Sequence, residues 1–260
     1  MTRRRDDIAL RETEVSFSRR DLLKLLASGS ALLLVHCGPV PPPPGEKRGA
    51  SYDWTKHYWV YVVDISKCIG CCACMRACRA ENDVPEGYHR TWIERYRIRK
   101  DGEVLIDVAQ TGEHVFAEVK DEVERAYFVP KICNHCTASP CTQVCPVGAS
   151  YQTKDGVVLV DDKACVGCGY CVQACPYGTR YLHPTTRVAD KCTLCYHRIT
   201  RGEKPACVAM CPTGARMFGD LKNPDDPITR LLKDTRTRFI KAELGTKPKC
   251  HYIGLDEEVI

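Results

Sequence analysis

The chain has 260 residues, with 38 Lys or Arg against 33 Asp or Glu, and 19 of its residues are cysteine. Its 27% charged and 44% hydrophobic residues are those of a folded, soluble protein, which excludes collagen-like, disordered and multi-span membrane architectures. Of the formal net charge of +5, residues 1–24 contribute seven Lys/Arg against five Asp/Glu, so the remainder is too weakly basic to imply a nucleic-acid partner.

The first element reads as a targeting segment. Arg19 and Arg20 precede an uncharged stretch from Leu25 to Val35, a pattern of the twin-arginine export type. Those 11 residues fall short of the roughly 20 that a membrane-spanning helix needs, so the stretch fits a signal h-region. Cys37 ends it before Gly38, which leaves two outcomes open, lipidation or an unmodified signal. Residues 1–37 are the signal segment, and residues 38–56 a linker whose GPVPPPPG run is stiff and extended. The fold is expected to start near Ser51.

Sixteen cysteines then fall into four groups of four, each preceded or followed by strand-like sequence. Tyr58–Asp64 leads into Cys68, Cys71, Cys74 and Cys78, spaced C-x2-C-x2-C-x3-C. Short alternating runs at Thr91–Ile98 and Val104–Val108 suggest a hairpin insertion. Tyr127–Pro130 precedes Cys133, Cys136, Cys141 and Cys145, and 157–161 precedes Cys165, Cys168, Cys171 and Cys175. In the fourth group an 11-residue insert separates Cys192 and Cys195 from Cys207 and Cys211. Groups two to four continue as Cys-Pro-x-Gly, where proline stops the helix and glycine permits a tight turn, whereas Arg79 follows Cys78. A helix is expected over Asp226–Lys233, in a covering extension that begins after Gly219.

This spacing is that of iron–sulfur ligation. Thiolates at i, i+3 and i+6 wrap three corners of a cubane, and intervening backbone N–H groups offset its negative charge. The fourth cysteine lies on the following helical turn and points away; in two-cluster ferredoxins it serves the other cluster, so groups are read in pairs. A disulfide scaffold would need no such spacing, and zinc would leave the third and fourth cysteines of each group without a role. Cys72 reads as a buried spectator thiol and Cys250 as packing. For His135, between two ligands, two readings stay open: a hydrogen bond to a cluster sulfur, or a plain surface histidine. Arg198, Arg201 and Lys204 read as a solvated face.

The four groups and the split fourth one resemble the four-cluster iron–sulfur (beta) subunits of the dimethyl sulfoxide, polysulfide and tetrathionate reductase family. CVGCGYCVQACPYGTRY (165–181), ADKCTLCYHR (189–198) and HYIGLDEE (251–258) carry the resemblance, and look most like the tetrathionate reductase beta subunit. The resemblance implies an α+β fold of two ferredoxin-like dicluster units, one from 57–125 and 185–260 with a hairpin insertion and C-terminal extension, the other from 126–184. It also implies four 4Fe-4S clusters, held by Cys68, Cys71, Cys74 and Cys211; by Cys192, Cys195, Cys207 and Cys78; by Cys133, Cys136, Cys141 and Cys175; and by Cys165, Cys168, Cys171 and Cys145. The implied function is electron relay between a membrane quinol-handling subunit and a molybdopterin catalytic subunit, outside the cytoplasm, without catalysis by this chain alone. A free-standing exported polyferredoxin, a four-cluster subunit of a nitrite-reduction or sulfur-metabolism complex, and a zinc-stapled structural module are the competing functions.

Overall fold

A computed structural model describes residues 52–109, 116–118 and 122–259. The twin-arginine pair, the apolar stretch, Cys37 and the proline-rich run lie outside the described residues. The strands are β1 (Trp59–Asp64), β2 (Thr91–Ile98), β3 (Val104–Val108), β4 (Arg125–Ile132), β5 (Ser150–Gln152), β6 (Val158–Val160), β7 (Arg180–Leu182), β8 (Ala189–Lys191), β9 (Arg216–Asp220) and β10 (Cys250–Ile253). The helices are α1 (Ala73–Asn82), α2 (Pro140–Gln143), α3 (Tyr170–Gln173), α4 (Tyr196–Ile199), α5 (Ala206–Ala209) and α6 (Pro227–Asp234). Short strands and mostly one-turn helices make this an α+β fold, as expected.

One pairing rule organises the strands. The strand that enters each cysteine group pairs antiparallel with the strand that leaves the preceding group: β4 with β2, β6 with β5, and β8 with β7. The rule closes on itself, because β1, which enters group one, pairs with β9, which leaves group four. The Thr91–Ile98 and Val104–Val108 runs form the expected antiparallel hairpin between groups one and two. β2 also holds β4 over eight residue pairs, giving the sheet order β3-β2-β4, so the pair is built into the path between groups one and two.

Local chemistry sets the helix lengths. In groups two, three and four the helix stops before Cys-Pro-x-Gly, with Gly148, Gly178 and Gly214 at φ of 67°, 62° and 66° turning the chain into the next strand. Group one has no such stop, so α1 runs ten residues to Asn82 and ends on Asp83 in the left-handed region. Within the first C-x2-C of each group the residue before the second cysteine is also left-handed: Gly70, His135, Gly167 and Leu194. That repeated turn aims successive backbone N–H groups at one centre. At Gly70 glycine is required twice over, since a Cβ there would stand 2.4 Å from the Phe128 ring.

The extension after Gly219 does more than cover. It adds β10 parallel to β1, and its backbone reaches group two, where Thr137 and Ala138 donate to Lys247 and Thr246 carbonyls at 2.9 and 3.0 Å. The expected helix appears as α6, with Asp226 as its cap rather than its first residue: the carboxylate accepts from Ile228 N–H at 2.8 Å and from Asp220 N–H at 2.9 Å. The main core joins Tyr61, Val63, Ile93, Tyr96, Val129, Ile132, Leu159 and Ile199 to several cysteines of groups one, two and four, and to Cys250. A smaller one lies around Cys141, Val158 and Cys171.

Two substitutions test this packing. Asp226→Ala removes the cap and is expected to destabilise by about 1 kcal/mol, read as a lower thermal midpoint with the spectrum unchanged. Gly219→Ala places a Cβ 2.6 Å from Ile228 Cβ and is expected to cost more, about 1–3 kcal/mol; a midpoint equal to the parent's would refute the close β9–α6 packing.

Candidate metal centres

The structure gathers the sixteen group cysteines crosswise. Cys133, Cys136 and Cys141 of group two and Cys175 of group three line one cavity. Cys165, Cys168 and Cys171 of group three line another with Cys145 of group two. A third is lined by Cys192, Cys195 and Cys207 of group four and Cys78 of group one. The remaining four, Cys68, Cys71, Cys74 and Cys211, meet where α1 packs on α5: Cys68 and Cys74 interact electrostatically with each other and with Cys211, and Cys74 with Cys71. Each set thus takes three cysteines from one group and one from its partner. Among the described residues no three His, Cys, Asp or Glu side chains converge on a point that would hold a single ion. Donors spread around a void fit a polynuclear cluster better than a tetrahedral zinc, which needs sulfur at about 2.3 Å. All 18 described cysteines are free, so none of them forms a disulfide staple.

The sets lie in series. Cys74 of the first set feels the charge of Cys207 in the second, Cys192 of the second that of Cys133 in the third, and Cys171 of the fourth that of Cys141 in the third. Burial differs along that series. Cys78, Cys192, Cys195 and Cys207 are all buried, whereas Cys71 in the first set and Cys168 in the fourth are exposed. The end sets also carry exposed apolar side chains: Ile69 and Met210 beside the first, Val144, Val147, Val166 and Tyr170 beside the fourth.

Donors surround the sulfurs. The backbone N–H groups of Ser150, Ala189 and Leu194 donate to Cys145, Cys165 and Cys192 Sγ at 3.4, 3.4 and 3.3 Å. Asn82 Nδ2 bridges Cys78 and Cys195 Sγ at 3.7 Å each, and Tyr61 Oη lies 3.3 Å from Cys207 Sγ. Burial pushes the Cys136 thiol up to about 12 and the Cys68 thiol up to about 11. Burial also opposes ionisation of Cys211, but the N–H groups of Arg216, Thr213 and Ala215 and the Thr213 hydroxyl outweigh it and hold that thiol below its usual range. Iron binds the thiolate, so loading the buried sets releases protons.

His135 is fully buried, which overturns the surface-histidine reading. Its Nδ1 accepts from Val158 N–H at 3.0 Å. Burial, with Lys191, Lys249 and Arg180 nearby, holds the ring well below its usual pKa and keeps it neutral. The proton then resides on Nε2, which has no partner and belongs to the lining of the Cys133, Cys136, Cys141 and Cys175 cavity. Cys72 is buried beside the first set, within the field of Cys74, Cys71 and Cys68; it donates to Gly70 O at 3.3 Å and starts α1 in the left-handed region, where group three has Gly169. Cys250 is buried in β10. Arg198 is not merely solvated, since it pairs with Glu81 at 2.8 Å and Glu203 at 3.2 Å. Sequence reasoning missed Tyr61, Asn82, Arg180 and Arg216. Only the arginines left a signal, the repeated Cys-Pro-x-Gly-x-Arg of CPYGTR and CPTGAR.

Two models described as 4Fe-4S dicluster domain match the chain, at residues 67–149 and 124–221. Both follow contiguous sequence, whereas the cavities join group one to group four and group two to group three. The B subunit of tetrathionate reductase from Salmonella typhimurium is 38% identical, over 94% of this chain and 90% of that one. Its counterpart from Archaeoglobus fulgidus, also a tetrathionate reductase B subunit, is 47% identical, over 76% and 82%. The B polypeptide of polysulfide reductase from Wolinella succinogenes is 40% identical, over 73% and 91%. With these identities extending over most of both lengths, the chain belongs to the 4Fe-4S dicluster family that includes the B subunits of tetrathionate and polysulfide reductases.

Proposed function

We propose that the four crosswise cysteine sets hold four 4Fe-4S clusters, and that the chain relays single electrons between two partner subunits of a reductase complex. The observation that carries this reading is the graded burial of the series, closed in the middle and open at both ends. When bound, a 4Fe-4S cluster supplies a one-electron couple whose potential the protein sets anywhere from roughly −700 to +450 mV. The chain's residues do the setting: backbone N–H groups, Asn82 and Tyr61 donate to sulfur, and the core around groups two and four excludes water from the inner sets. The crosswise sets correspond to two ferredoxin units, 126–184 and the combination of 57–125 with 185–260.

The relatives' names support a sulfur-compound reductase, tetrathionate or polysulfide, with a molybdopterin catalytic subunit at one end of the series and a membrane quinol-handling subunit at the other. Among the described residues no helix is long and apolar enough to cross a membrane, which agrees with attachment through a partner. Arg19, Arg20 and the Leu25–Val35 stretch support export by the twin-arginine route to the outer face of the cytoplasmic membrane. The apolar side chains at both end sets favour fixed docking over a free-standing polyferredoxin, which would leave them in water.

Anaerobic purification of the native complex tests the whole reading. It is expected to yield partner chains with this one and roughly sixteen iron atoms per copy; colourless protein containing zinc would end it. Ligand variants test the crosswise sets. Cys141→Ser and Cys175→Ser are expected to perturb one and the same electron-paramagnetic-resonance signal, and Cys145→Ser and Cys171→Ser together a different one. Cys72→Ser and Cys250→Ser should leave the iron content unchanged.

A further inference from the structure

Two arginines occupy the same place in the repeat. Arg180 and Arg216 are each the fifth residue after the last cysteine of their group, and each is the first residue of the strand that leaves it, β7 or β9. Both are buried, at 5% and 2% exposure. A guanidinium stays charged at any ordinary pH, and a buried charge without a partner is among the costliest groups a protein can hold. Neither arginine has a carboxylate partner among the described residues. Arg180 donates through Nη2 to Ser150 Oγ at 2.9 Å, while its Nε and Nη1 have no partner. Arg216 donates through Nη1 to Tyr61 Oη at 3.3 Å, and its Nη2 has none.

What surrounds them is sulfur. Arg180 lines the Cys133, Cys136, Cys141 and Cys175 cavity and also interacts with Cys171 of the adjoining set. Its partner Ser150 in turn donates its backbone N–H to Cys145 of that second set. Arg216 sits among Cys74 of the first set and Cys207 of the second, and reaches Cys207 through the Tyr61 hydroxyl. One arginine therefore stands at the boundary within each pair of sets. The wider interior leans the same way, with Lys131, Arg180, Lys191, Arg216 and Lys249 buried against Asp64, Asp155 and Asp220.

We propose that Arg180 and Arg216 are the built-in counter-cations of the two cluster pairs, each sharing one guanidinium between two neighbouring 4Fe-4S sites and biasing both toward the reduced form. This rests on the cluster-holding reading above. Reduction adds negative charge, and a fixed positive charge beside it in a poorly screened interior favours that state. The sharing makes the effect pairwise: Arg180 acts on the sets of groups two and three, Arg216 on those of groups one and four. Both are positioning residues, neither being a ligand.

The test is a potentiometric titration of the native complex, followed by electron paramagnetic resonance, with Arg180→Gln, Arg216→Gln and the two Lys variants. Iron content is measured first, and a parent complex without iron would fail the cluster reading rather than this one. In Arg180→Gln the two signals of the group two and three sets are expected to become at least tenfold harder to reduce, which is 59 mV for a one-electron couple, with the other two signals unmoved. Arg216→Gln should give the mirror pattern, and each Lys variant, which keeps the charge, should recover most of the shift. If a Gln variant loses iron, retention of iron and potential in the Lys variant supports the proposal, and loss there as well overturns it. Unmoved potentials at full iron content, or equal shifts in all four signals, also overturn it.

Discussion

No cysteine group in this chain gathers four thiols by itself. The fourth cysteine, on α1 in group one and just past the helix end in the others, goes to the partner group's set, so four thiols meet only when two groups pack. That constraint fixes α1 against α5 and α2 against α3. It also fixes the strand pairing, because each entering strand must lie beside the strand leaving the previous group. The hydrophobic core is threaded through the same groups, with Cys74, Cys133, Cys192 and Cys207 counted among its buried members. The cysteines thus serve the packing as well as the proposed ligation, which explains how short strands and one-turn helices suffice for a chain this size.

The interior chemistry follows from the same constraint. Thiolates held at close quarters repel one another, and the chain answers with donors and with buried positive charge. His135 illustrates the economy: Val158 N–H takes its Nδ1, burial keeps it neutral, and the remaining N–H is left to the cavity. Its backbone at φ 42° serves the turn of its C-x2-C, so one residue supplies both the bend and the donor.

Much of this was legible beforehand. The spacing of cysteines announces four similar loops, the alternation at Thr91–Ile98 and Val104–Val108 announces strands at those same residues, and Cys-Pro-x-Gly announces where three helices stop. What stayed hidden depends on partners far away in the chain. Nothing local to β2 says that it pairs with β4 as well as β3, because a strand's second edge is filled by whatever packing brings there. Asn82 and Tyr61 carry no motif, since a single amide or hydroxyl becomes a sulfur donor only through tertiary placement. The sequence left His135 open between a sulfur donor and a surface residue, because what buries its loop is the segment around Thr246–Lys249, more than a hundred residues later.

The circular strand pairing carries a consequence for biosynthesis. Groups two and three follow each other directly, so all eight cysteines of their two sets have left the ribosome once β7 is made, although the Thr246–Lys249 segment that covers the group-two loop comes later. The first set stays without its fourth member, and β1 without its antiparallel partner, until Cys211 and β9 emerge. The cysteines of groups two and three can therefore be gathered while those of group one still wait for group four, a partner more than a hundred residues downstream.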